Sequence, residues 1–250
     1  MALLELRALT RRFGGLTAVD AVSASVRRGE LVGVIGPNGA GKTTLFNLIS
    51  GVTPPSSGEV LFAGRSLAGL RPFEVARLGL GRTFQNLRVF PNMTVFDNVS
   101  VGAIRASGLR DAFGWRGTAQ ARAIGEVATE MLDKVGLAPL ADELAANLSY
   151  GKRKMLEIAR ALAGRPQLLI LDEPAAGLND TETVALSRFI GQLRDEGMTI
   201  LLVEHDMGLV MRVCSRVVVL AFGRKIADAD PATVQRDPAV LDAYLGTGDE

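Results

Sequence analysis

"LVGVIGPNGAGKTTLFNLIS", Leu31 to Ser50, sets an apolar run, a glycine-rich turn and a helix-like repeat in direct succession. "LVGVI" is continuously apolar, as a strand buried on both faces is. "TTLFNLIS" has the look of a helix. The segment between them, Gly36 to Thr44, has the spacing G-x-x-x-x-G-K-T. In such a loop the glycines Gly36, Gly39 and Gly41 let backbone N–H groups converge on phosphates. Pro37, Asn38, Ala40 and Thr44 complete the cradle, Lys42 reaches the β and γ oxygens, and Thr43 offers its hydroxyl to magnesium. A glycine-rich turn that bound nothing would need neither the strand before it nor the helix after it.

Three further runs, "LLIL" (168–171), "TILLV" (199–203) and "VVVL" (217–220), are equally apolar and separated by helical patterns, so a parallel α/β sheet is expected. The N-terminus differs. Leu4, Leu6 and Ala8 alternate with Glu5 and Arg7, and Val22, Ala24 and Val26 with Ser23, Ser25 and Arg27, which predicts an antiparallel layer of half-buried strands. In "LLILDEP" the run ends on Asp172, at the strand edge where open α/β sheets bind ligands and where a carboxylate can hold magnesium through Thr43 or water. Glu173 follows as the candidate general base, since two adjacent acids after a buried strand need cations or hydrogen bonds to satisfy them.

The bulk numbers narrow the function. With 250 residues and 48% hydrophobic content the chain can bury a sizeable core as one domain, or one domain with a sub-domain. Its 28 basic and 27 acidic residues nearly cancel, leaving no global field for nucleic acid. One cysteine, Cys214, and one histidine, His205, build neither an intramolecular disulfide nor a zinc site, and a reducing cytoplasm fits. No apolar run is long enough to span a bilayer.

Residues 86–161 carry hardly any strand signal and are expected to form a helical insertion. Within it, residues 118–135 repeat at helical spacing, with Thr118 as cap, Glu130 and Lys134 as a pair, and Gly136 as the stop. "ASGLRDAFGWRG" (106–117) reads as a loop or a short irregular helix. The insertion ends in "LSYGKRKMLEIARAL" (148–162), where Lys152, Arg153 and Lys154 open a helix whose dipole already disfavours cations. A nucleic-acid patch, a solvated face, or a phosphate supplied from elsewhere would each account for them. Two aspartate-proline starts, Asp230-Pro231 and Asp237-Pro238, predict short capped helices in the tail.

"GPNGAGKTT", "NLSYGKRKMLEIARAL", "LLILDEP" and "VEHD" occur in the order and at the separations of the ATP-binding cassette of ABC transporters, and the resemblance covers essentially the whole chain. It implies a P-loop NTPase α/β core with an N-terminal antiparallel β layer and an inserted α-helical subdomain. The core would be 1–85 and 162–250, the subdomain 86–161, and the tail 227–250. It implies ATP and magnesium as cofactors and head-to-tail pairing of two cassettes, the second a paralogue or a second copy. Ser149 and Gly151 of one then face the γ-phosphate held by the other, which would supply the missing anion. Tyr150 and Lys152 depart from the usual LSGGQ. By the same resemblance Gln85 touches magnesium and the attacking water, His205 contacts the γ-phosphate and orients Glu173, and Phe13 stacks under adenine. The "AAGLND" loop carries Asn179 where many members have aspartate.

With "GLGRTFQNLRVFPNMTVFDNVSVG", the long helical insertion, the "SYG" signature, "AGLN", "VEHDM" and the closing "AYLG", the chain looks, within the family, most like the larger ATPase of branched-chain amino acid importers. That resemblance implies permease subunits, a periplasmic solute-binding protein acting indirectly, no nucleic acid, and a peripheral place on the cytoplasmic face of the inner membrane. Urea or amide importers and lipopolysaccharide exporters share much of the pattern, and a soluble cassette acting on ribosomes or DNA is the more distant alternative. Val89, Phe90, Met93 and Phe96 around Pro91 are either local packing or the groove for a permease helix.

Overall fold

The computed structural model describes residues 2–84, 87–107 and 117–245; Gln85 and the core of the 106–117 segment lie outside the described residues. The chain begins with β1 (Ala2–Phe13), β2 (Leu16–Arg27), β3 (Leu31–Ile35), α1 (Lys42–Ile49), β4 (Ser57–Phe62), β5 (Arg65–Ser66), α2 (Pro72–Arg77) and β6 (Leu80–Arg82). Three helices follow: α3 (Val95–Ser107), α4 (Gly117–Lys134) and α5 (Tyr150–Ala163). The remainder alternates: β7 (Leu168–Asp172), α6 (Asp180–Asp195), β8 (Thr199–Val203), α7 (Met207–Val213), β9 (Arg216–Ala221), β10 (Arg224–Ala229), α8 (Pro231–Val234) and α9 (Pro238–Leu245).

The main sheet has the order β10-β9-β3-β8-β7-β6, parallel except for the edge strand β10. Its central strands read as unbroken apolar runs because both faces are covered. Val32, Val34, Leu168 and Ile170 point into a core shared with α1 and the N-terminal sheet, while Leu31, Ile35, Leu169 and Leu171 point into one shared with α5, α6 and α7. Alternate residues on one strand thus serve two cores. The second sheet, order β2-β1-β4-β5, is antiparallel and closes over α1.

The alternation expected for β1 breaks at Ala8. That residue is exposed with φ 44°, and Leu9 takes the buried position instead, because a bulge shifts the register between Leu6 and Leu9. The Ser23 hydroxyl accepts the Ala8 amide at 2.9 Å and the Thr10 hydroxyl accepts the Ala21 amide at 3.0 Å, so the bulged backbone is satisfied. In the helical stretch, Gly136 ends α4 with φ 70°, but the expected Glu130–Lys134 pair does not form. Glu130 meets Arg165 at 3.1 Å and Lys134 meets Glu196, each reaching out of α4 to a different neighbour. Ala106 and Ser107 belong to α3 rather than to a loop.

Cys214 follows α7, buried against Gly33 of β3, and burial pushes its thiol up to about 12. A neutral, covered thiol is inert. The native protein is expected to leave Ellman's reagent largely unreacted at pH 8 and to react at once in urea. Equal rates in both states would contradict the buried placement.

Candidate nucleotide site

The ends of three neighbouring strands build the site. β3 delivers the glycine loop, β7 delivers Asp172 and Glu173, and β8 delivers Glu204 and His205. Because β8 lies between β3 and β7, groups remote in sequence open into one cavity of about 560 Å³. Its polar lining comes from Asn38 to Thr44, Glu173 and His205, and its apolar lining includes Phe13, Leu16 and Phe222. Of the residues expected to take part, Gly36, Pro37, Asp172, Ser149 and Gly151 do not line it. Gln85 lies outside the described residues.

The loop is shaped for oxyanions. Gly41 sits at φ 97°, where an L side chain is strained, and a Cβ there would overlap the Ala18 carbonyl. α1 starts directly after it, so the unpaired N–H groups of its first turn face the cavity that Lys42, Thr43 and Thr44 line. Lys42 donates to the carbonyls of Gly36 at 2.6 Å and Pro37 at 3.1 Å. Desolvation lowers its pKa, opposed by Glu173 and Asp172.

Glu173 sits at φ 48°, in the left-handed region that a glutamate rarely enters. Its Oε1 lies 2.7 Å from His205 Nε2. Its own carbonyl accepts from Lys154 Nζ at 3.4 Å, so a lysine of α5 reaches the peptide of the candidate base. Asp172 is held from below, with Oδ2 2.9 Å from Arg82 Nη2. Arg82 also donates to Asn47 at 2.9 Å and Ser50 at 2.7 Å, tying β6 to the end of α1. His205 is positioned from both sides: Asp206 caps α7 by accepting from Leu209 N at 3.0 Å, and buried Glu204 accepts from the amides of Ala175 at 2.7 Å and His205 at 3.1 Å. Burial raises the Glu204 pKa against those hydrogen bonds.

The three cations that open α5 separate. Lys152 is exposed, Arg153 half-buried, and Lys154 is 2% exposed beneath the Tyr150 ring, its ammonium 5.7 Å from the ring centre. They are therefore not one patch. Ser149 caps α5 by accepting from Lys152 N at 3.4 Å. Tyr150 packs on Gly177, where a Cβ would lie 2.9 Å from the ring and where φ is 81°. Gly151 faces Glu182, which forms a capping box with Asn179, so the Asn179 amide oxygen caps α6 within its own chain.

Several groups at the site were not legible in the sequence. Glu157, one turn beyond Lys154, is 2% exposed and accepts from the amides of Phe84 at 3.4 Å and Arg88 at 3.3 Å, bracketing Gln85 in the chain. A glutamate amid "MLEIARAL" on the apolar side of a helix was the available signal. Burial raises its pKa, so the protonated form favours folding. That contribution is complete below the unfolded carboxylate range and is lost as pH rises through the raised value. Glu157→Gln keeps the accepting oxygen and is expected to flatten the fall in unfolding free energy across that interval, as measured by urea titrations at a series of pH values. Tyr244 of α9, the last helix among the described residues, meets the Gly36 amide and so brings α9 to the glycine-rich loop. Phe222 carries no such signal, because "AFGRK" lacks the asparagine-glycine step that marks a two-residue hairpin turn.

Comparison with known proteins agrees with this geometry. A family model described as "ABC transporter" matches residues 19–176. The chain belongs to the ABC transporter family. A second model, "Branched-chain amino acid ATP-binding cassette transporter", matches residues 224–250 of the cassette. The high-affinity branched-chain amino acid transport ATP-binding protein LivG of Salmonella typhimurium is 44% identical, with 98% of each chain covered. The lipopolysaccharide export system ATP-binding protein LptB of Escherichia coli is 33% identical, again over 98% of each. A solved nucleotide-free ATP-binding cassette from an ABC transporter superposes with a TM-score of 0.86 at 31% identity, covering 98% of this chain and 99% of that one. The chain is thus an ATP-binding, ATP-hydrolysing cassette on a P-loop-type core. Among the described residues no helix is long and apolar enough to cross a membrane.

Proposed function

We propose that the cassette energises import of branched-chain or related amino acids, bound peripherally to permease subunits at the cytoplasmic face of the inner membrane. A periplasmic solute-binding protein would feed the permeases. The observation that carries the catalytic half is the 2.7 Å Glu173–His205 pair opening into the same cavity as Lys42. The cargo rests on the 44% identity to LivG and the match at residues 224–250. The chain acts as one ATPase domain, with 1–85 and 162–250 as the nucleotide-binding core, 86–161 as the helical subdomain, and 227–250 as a tail.

The residues fit Mg-ATP. The Lys42 ammonium, the α1 N-terminus and two threonine hydroxyls converge without a surrounding cage of acids, which suits a cation that takes most of its oxygen ligands from phosphates. Thr43 would hold it directly and Asp172 through water, with Gln85 as the further contact that the family resemblance implies. The ion would supply neutralisation of the charge that develops on the phosphates. Glu173 takes the proton of the attacking water as its oxygen bonds to the γ-phosphorus and the bond to the β,γ-bridging oxygen breaks. His205 holds Glu173 in position and contacts the γ-phosphate. Ser149 and Gly151 do not line their own cavity, which supports completion of each site by the signature of a second cassette, paralogue or copy, docked head to tail.

Affinity purification from native membranes in detergent tests this reading. Two permeases, a second cassette and an amino-acid-binding protein are expected to co-purify, and loss of the gene is expected to abolish leucine uptake. Lipid-export partners would overturn the cargo, and ribosomal or DNA-bound partners would overturn transport.

A further inference from the structure

β9 and β10 are joined by two residues, Phe222 and Gly223, with Ala221 paired to Arg224 across the turn. Their φ values are 48° and 78°. Two successive positive φ angles mark the type I′ hairpin turn, which asparagine-glycine fills without strain and a bulky aromatic does not. Burial does not compensate, because Phe222 is 81% exposed. A strained, exposed aromatic beside a ligand cavity points to a role there.

The turn is anchored so that its tip has one position. Gly223 N donates to Ala40 O of the phosphate loop at 3.1 Å, Asp20 N donates to Gly223 O at 2.8 Å, and Arg224 pairs with Asp20 at 2.7 Å. Phe222 therefore lines the nucleotide cavity from a frame shared with the loop that would grip the phosphates. Two other exposed apolar side chains line the same cavity, Phe13 and Leu16. One face of the Phe13 ring is already covered by the Arg11 guanidinium, 4.5 Å from its centre, which leaves the other for a ligand. The lining thus has a cationic, hydroxyl-bearing part suited to phosphates and an apolar part suited to a flat heteroaromatic ring.

We propose that Phe222 is a second apolar wall of the base subsite, so that the purine is held by Phe13 from β1 and by Phe222 from the β9–β10 turn. The inference rests on reading the cavity as an ATP site. The strain at Phe222 is then the cost of placing an aromatic where a turn-forming residue would fit better.

The test is titration calorimetry on the full chain, in a Glu173→Gln background so that ATP is not consumed, with ATP and with inorganic tripolyphosphate as a probe that has phosphates but no base. Phe222→Ala is expected to weaken ATP about 5- to 150-fold, the range for loss of one base–aromatic stack, and to leave tripolyphosphate within about twofold. Phe222→Asn is expected to lose the same ATP affinity while its thermal midpoint rises, because asparagine tolerates the positive φ. A purely structural residue would move stability and affinity together. Unchanged ATP binding in both variants overturns the proposal, as does an equal loss for ATP and tripolyphosphate, which would place the effect in the phosphate loop. A parent chain that binds tripolyphosphate but gains nothing from the base also overturns it. Failure of the parent to bind either probe takes down the ATP-site reading itself.

Discussion

Glu173→Gln is expected to lower ATP turnover about 10²- to 10⁴-fold while leaving ATP affinity within a few-fold, the range for removing a positioned general base. The substitution is close to isosteric. An amide oxygen or nitrogen can still meet His205 Nε2, 2.7 Å from Oε1 in the wild-type chain, and the Lys154 contact to the Glu173 carbonyl is a backbone contact that the exchange does not touch. The exchange removes the ability to take a proton from water, together with the negative charge that faces Lys42. Phosphate release at saturating ATP, beside calorimetric binding of ATP, separates the two effects. Hydrolysis at the wild-type rate would sink the assignment of Glu173, whereas loss of binding would mean that the carboxylate shapes the pocket rather than the reaction.

The second large effect belongs to Lys42→Ala, which is expected to weaken ATP by about 10²-fold or more, as removal of a charge from a buried, hydrogen-bonded charge pair does. Lys42 is 6% exposed and in the ligand-free fold spends its donors on the Gly36 and Pro37 carbonyls. It therefore serves the loop before it serves the phosphate. The variant should lose ATP and tripolyphosphate together, the opposite of the pattern expected for Phe222. Retained affinity for both would mean that the α1 N-terminus alone binds the phosphates.

The same division between local and distant causes explains what could be read in advance. Leu31 to Ser50 declares its strand, loop and helix because each is encoded within a few residues, and Asp230 caps α8 as its aspartate-proline step predicts. Asp172, Glu173 and His205 are legible because apolar strands end beside them. What escaped depends on neighbours far along the chain. Ala8 faces outward because Ser23 accepts its amide, and Lys134 ignores Glu130 because Glu196 is within reach. Lys154 reads as one cation of three, yet it lies under Tyr150 against the Glu173 peptide. Spacing alone carries no information about such partners, since the ends of the interaction meet only after the sheet has assembled.

That assembly has a thermodynamic consequence. β3, β8 and β7 pair side by side although their residues lie in widely separated parts of the chain, and each leads to one part of the cleft: the glycine-rich loop, His205 and Glu173. No contiguous fragment holds the site, so the unfolded chain has nothing to offer a nucleotide. A ligand with affinity for the native state alone adds RT ln(1 + [L]/Kd) to its stability, about 2.7 kcal/mol at a hundredfold excess over Kd. The melting temperature in ATP thus becomes a measure of whether three remote strands have found one another, and a substitution that loosens any of them shows itself as a smaller nucleotide-dependent gain.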